Sequence, residues 1–219
     1  MPEPARVVRI QKGAKREAKP MSNREVVVWD PFIRIFHWLL AGSVITAWFI
    51  DEPVWLHNWL GYTAATLVTL RVIWGFVGPQ EARFSSFVRG PRVVLQYFLD
   101  LIRLSSKRYL GHSPAGGAMV IALLFMAGVT TITGMANLAV ERGQGPFAVL
   151  VTHTQQSVQT GGRHENGRDE DSLLKEINET AANITLILVV FHLAGIGLAS
   201  IAHRENLVQA MITGRKRPE

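Results

Sequence analysis

Residues 181–201 read AANITLILVVFHLAGIGLASI, a run without one acidic or basic side chain and with His192 at its middle. A helix needs about 20 such residues to cross roughly 30 Å of hydrocarbon. Three more runs of similar length, Ile33 to Ile50, Val54 to Val77 and Ala115 to Leu138, bring the candidate spans to four. Arg71 interrupts the second, and Asn183 and Thr185 open the fourth, but so little polarity leaves a soluble core the weaker reading. The pattern predicts an all-α fold, a transmembrane four-helix bundle. The chain has no cysteine, which excludes disulfides, thiolate metal sites, cysteine-held iron–sulfur clusters and covalent c-type haem. Any iron must be held by nitrogen.

The charges alternate with the spans. Residues 1–36 carry eight Lys/Arg against four acids, residues 78–113 six against two, and the tail from His203 four against two. Between them, Asp51 and Glu52 join spans one and two, and residues 139–182 hold seven acids against four basic groups. The positive-inside rule then puts both termini in the cytoplasm, the expectation for a multi-pass protein of a bacterial inner membrane. A nucleic-acid binder could be equally basic, but its charges would not alternate with spans, so no nucleic-acid partner is expected; membrane lipid is.

The expected organisation is a disordered cytoplasmic leader over residues 1–28, a membrane domain over 29–217 and a short tail at 218–219. The first 25 residues lack the apolar stretch of a signal peptide. Pro91 to Leu104 carries Val93, Val94, Tyr97, Phe98, Leu101 and Leu104 at helical spacing, suiting a helix along the cytoplasmic interface or a packed linker helix. Residues 139–180, with Gly143, Gly145, Gly161, Gly162 and the polar run 165–171, read as a long external loop.

Histidine within a span needs a polar partner. His37 and His192 lie in the first and last spans and could hold a haem iron between two helices, with the porphyrin replacing core side chains. Two interhelical histidines bonded to hydroxyls or backbone are the alternative. His37 lies about four residues, or about 6 Å of rise, inside its span. Its depth matches that of His192 only if span four tilts or starts farther outside. His57 begins span two at the other end. Position 178 is about four turns, or about 21 Å, from His192 on the same helix face, and there the chain has Asn178, a poor haem ligand.

At these residues the chain resembles the four-helix cytochrome b subunits of bacterial nickel-iron hydrogenases and their di-haem relatives that exchange electrons with quinone. The resemblance runs from Trp29 to Arg217. It rests on His37-Trp38; His57 with Gly61-Tyr62; Arg71, Trp74-Gly75-Phe76 and Ala82-Arg83-Phe84; Gly111-His112-Ser113-Pro114; Thr133-Gly134; Ala182-Asn183 with His192; and Glu205-Asn206-Leu207 through Gly214-Arg215-Lys216-Arg217. It implies two b-type haems relaying electrons across the membrane. His37 and His192 match the lower ligands, and His57 matches one upper ligand. Family members commonly carry a His-Glu pair where this chain reads Asn178-Glu179. The upper haem is then five-coordinate on His57, rescued by His153 or His164 from the external loop, or absent; two haems are favoured.

Haem propionates prefer basic partners at the bundle edge. Arg34, one turn before His37, leads on the lower side, with Arg215, Lys216 and Arg217 nearby; the terminal cluster could equally hold anionic headgroups. Arg71 could pair with a propionate or snorkel to the headgroups. His112 could bond a propionate or a quinone oxygen, or be a polar residue at a helix start. His203 competes with His192 only for an unusually shallow haem, and most of the six tryptophans should be interface anchors.

The function expected is electron transfer through haem b between the quinone pool and a periplasmic or membrane redox subunit, with a homodimer possible. Two other readings stand beside it. One is a haem-dependent oxidoreductase acting on oxygen or superoxide at an under-ligated haem; the other is a haem-free anchor that docks an enzyme.

Overall fold

The computed structural model describes residues 26–50, 52–149 and 166–216. Helix α1 spans Pro31–Phe49, started by the Asp30 carboxylate, which accepts from Ile33 N at 2.9 Å, and by Pro31 in its first turn. Helix α2 spans Val54–Val77. A 3₁₀ turn at Gln80–Ala82 and the short α3, Phe84–Phe87, lead to α4, Pro91–Ile102. Helix α5, Pro114–Arg142, is capped by Ser113, which accepts from Gly116 N at 3.1 Å, and ends at Gly143 in the left-handed region. Helix α6 runs over Asn166–His203 and α7 over Leu207–Thr213. Strands β1, Val26–Val27, and β2, Arg215–Lys216, pair antiparallel, so both ends of the described chain meet at one end of the bundle, the tail end.

Among the described residues, four helices are long and apolar enough to cross a membrane: Pro31–Phe49, Val54–Val77, Pro114–Arg142 and Leu173–His203. Around the bundle α1 packs on α2, α2 on α5 and α5 on α6. Phe36, Val68, Leu124 and Ala127 form the core, with Leu40, Leu67, Phe84 and Val120 against it. The outside is as apolar as the inside: Phe49 is 78% exposed, Phe76 70% and Phe125 67%, whereas Ser43, Arg71 and Thr185 are buried. A belt of this kind is stable facing lipid, not water. Hydroxyls of Thr66, Thr69, Thr130 and Thr185 donate to carbonyls one turn back, so they need no water.

The loop expected over residues 139–180 gives up both of its ends to helices. Residues 139–142 belong to α5 and residues 166–180 to α6, because a long helix continues past the hydrocarbon into polar sequence. The amphipathic stretch after span two is α4; it turns Tyr97 and Leu101 into the bundle and leaves Leu95, Phe98 and Ile102 exposed, as an interfacial helix would.

Candidate functional site

His37 projects from the second turn of α1 and His192 from the interior of α6. Their ring centroids are 6.2 Å apart, tilted by 52°. The two rings therefore lie at one level of the bundle, and α6 begins well before the apolar run. Nδ1 of His37 is buried without a hydrogen-bond partner, so the reading of two histidines satisfied by hydroxyls or backbone loses its support at His37. A metal–imidazole bond is about 2.0–2.1 Å and a ring nitrogen stands about 1.1 Å from its centroid, so two imidazoles in line on one ion have centroids about 6.2–6.4 Å apart. The pair fits a shared iron. Neither α1 with α6 nor α2 with α6 is among the closely packed helix pairs, which leaves one side and one diagonal of the bundle to side chains and to whatever the bundle encloses.

Towards the other end lies a cavity of about 540 Å³, of the size of a cofactor site. His57 and Tyr62 from α2, Thr131 and Met135 from α5, and Asn178 and Glu179 from α6 line it. His57 Nδ1 is 3.1 Å from the carbonyl of Ile50, which can only accept, so the proton is on Nδ1 and Nε2 is left as the basic nitrogen. Asn178 Oδ1 accepts from Thr133 Oγ1 at 2.9 Å. His153 and His164 lie outside the described residues.

The matched family model is that of prokaryotic cytochrome b561, over residues 28–214. The chain belongs to this family. Among curated relatives, the chain is similar to a "Probable Ni/Fe-hydrogenase B-type cytochrome subunit" of Rhizobium leguminosarum bv. viciae, 24% identical across 90% of this chain and 91% of that one. No solved structure matches. This cytochrome b561 is therefore a multi-pass membrane b-type cytochrome, and b-type haem, iron and electron transport follow from the family.

The motifs around the cytochrome's tail end have structural roles that sequence reasoning missed. Arg71 is only 2% exposed, so it does not snorkel. Its Nη2 donates to Ala82 O at 3.2 Å and its guanidinium lies 5.2 Å from the Phe84 ring, while Nη1 is buried without a partner. Gly75 makes room for Phe84. Arg34 Nη2 donates to Ile212 O, tying α1 to the end of α7, and its Nε is buried without a partner. Val28 N and Trp29 N donate to Gly214 O at 2.9 and 3.2 Å. Arg108 and Glu205 pair at 3.1 Å.

His112 is not the helix-start residue; Ser113 holds that place. Its ring lies between Trp29 and Phe87, with centroids 4.6 and 4.4 Å away, and Nδ1 is buried without a partner. Burial, then Arg71 and Lys216, push its pKa down to about 3, so it is neutral. Lys216 is buried, with Nζ donating to Tyr109 O at 3.4 Å, and therefore is no headgroup anchor; Arg217 lies outside the described residues. Burial lowers the Lys216 pKa as well. His203 sits 3.5 Å from Ser106 Oγ. Of the tryptophans, Trp38, Trp55 and Trp59 are exposed as anchors should be, but Trp48 lines the cavity and Trp74 packs on Phe32 at 4.5 Å with a buried, unpartnered Nε1.

Proposed function

We propose that the chain carries electrons across a bacterial inner membrane between the quinone pool and a redox partner, through haem held inside its bundle. The observation that carries this reading is the 6.2 Å approach of the His37 and His192 rings inside the bundle. Bound haem supplies the one-electron chemistry, and the helices set its ligation and burial. His37 and His192 would hold the iron of the tail-end haem. His57 holds a second haem in the far cavity.

Arg34 and Arg71 each keep one buried, unpartnered nitrogen near the tail end, as does His112; the two arginines are the groups to neutralise propionates there, and neutral His112 to bond a propionate or a quinone oxygen. His153 remains a candidate group of the far side. The relative's description as a hydrogenase cytochrome subunit favours a redox subunit as the partner that delivers or receives electrons. The excess of Lys and Arg in the leader, the 78–113 segment and the tail favours a cytoplasmic tail end and cytoplasmic termini.

Purified protein expressed with sufficient haem should give a reduced-minus-oxidised spectrum with Soret and alpha bands, and a short-chain quinol should reduce it. Absence of both bands removes the reading and favours a haem-free anchor; bands that no quinol can reduce remove the quinone assignment.

A further inference from the structure

We propose that the far cavity is a one-sided haem site: among the described residues His57 is the one imidazole that lines it, and the coordination position towards α6 is open to a small neutral ligand such as carbon monoxide, nitric oxide or dioxygen. The inference rests on the haem reading above and deepens it at the cavity.

His57 has the arrangement of a lone proximal ligand. A metal-bound histidine usually donates its second ring N–H to a carbonyl or carboxylate, which fixes the tautomer and raises the basicity of the ligating nitrogen. Ile50 O does this at 3.1 Å, and Nε2 has no hydrogen-bond partner among the described residues. The cavity beside the ring has room for a large planar group.

The other wall lacks a second imidazole. Helix α6 is not a close neighbour of α2, whereas α5 packs against both. A planar group held from α2 would therefore have α6 across the cavity from His57, with α1 and α5 along its sides. On α6 that wall presents Asn178, Glu179, Ala182 and Asn183. Haem iron is held in proteins by His, Cys, Met or Tyr, and none of these four types is among them. Asn178 is moreover tied sideways to Thr133 on α5 at 2.9 Å. Met135 and Tyr62 do line the cavity, but Met135 stands on the bordering helix and Tyr62 on the same helix as His57. An iron held this way keeps a vacant position in a largely apolar chamber, which suits an uncharged diatomic molecule better than an anion.

The test uses the purified holoprotein. Haem is counted by pyridine haemochrome, and carbon monoxide is added to the dithionite-reduced protein while the difference spectrum is recorded. The expected result is two haems and one carbon monoxide per chain, with the other haem remaining low-spin. Asn178→His should keep two haems and lose carbon monoxide binding, and His57→Ala should lose one haem together with all binding. Two haems without carbon monoxide binding in the parent would overturn the proposal, because a side chain such as His153, His164 or Met135 must then close the site. One haem per chain would overturn it too, leaving the His37–His192 haem and the electron-transfer reading standing. If Asn178→His does not fold, the parent titration and His57→Ala still decide.

Discussion

Replacing Gly75 by Ala puts a single methyl group where there is no space. Built on the backbone, that carbon would stand 2.2, 2.4 and 2.6 Å from three ring atoms of Phe84. Ordinary carbon contacts are about 3.5–4.0 Å, so the ring must move by roughly 1 Å. It cannot move freely, because Phe76, Phe87 and the Arg71 guanidinium surround it at 5.4, 5.9 and 5.2 Å. Overpacking of this kind costs about 1–3 kcal/mol. Ala gains about 1 kcal/mol over Gly in helix propensity. The difference is a net destabilisation of up to about 2 kcal/mol, opposite in sign to what propensity alone predicts. Unfolding in mixed micelles against increasing SDS measures it. In a Phe84→Leu background the cost of Gly75→Ala should shrink by at least about 0.5 kcal/mol, the mark of coupled neighbours. A Gly75→Ala protein more stable than the parent, as propensity alone predicts, would refute the reasoning.

His112 is neutral when folded, with its pKa lowered from 6.5 to about 3. Protonation therefore favours the unfolded chain: the stability is present above pH 6.5 and is lost as the pH falls towards 3, by about 1 kcal/mol between pH 6.5 and 5.5. His112→Phe should flatten this part of the pH–stability curve; an unchanged slope assigns it to another group. Glu205→Gln leaves Arg108 without its carboxylate partner, and since the Glu205 side chain is 8% exposed and that of Arg108 24%, the cost should be about 1–2 kcal/mol. Faster proteolysis of the tail after residue 203, at unchanged haem content, checks it. A reporter that works only in the cytoplasm should be active when fused after residue 219, and activity of a periplasmic reporter there would reverse the orientation.

The four spans were legible because lipid demands long apolar runs, and their observed limits differ from the expected ones mainly where polar ends continue the helix, as in α6 before Leu173. His37 and His192 were legible as a pair because histidine is conspicuous in hydrocarbon, although their common depth was not: it depends on where α6 starts. The roles of Arg71, Gly75 and Phe84 were hidden, since a contact between a helix and the turn that follows it leaves no periodic signal. The same holds for Lys216, which reads as a surface charge until the pairing of β1 with β2 draws it against Tyr109 and Trp29. Asn178 stood out in sequence only against the family pattern, and its tie to Thr133 emerged only from the packing of α5 on α6.

The central claim is that one iron sits between His37 and His192. Pyridine haemochrome analysis of His192→Ala beside the parent tests it directly. The account predicts a fall from two haems per chain to one, with loss of the low-spin ferric signal of a bis-histidine haem. A His192→Ala protein that keeps both haems and that signal would contradict it.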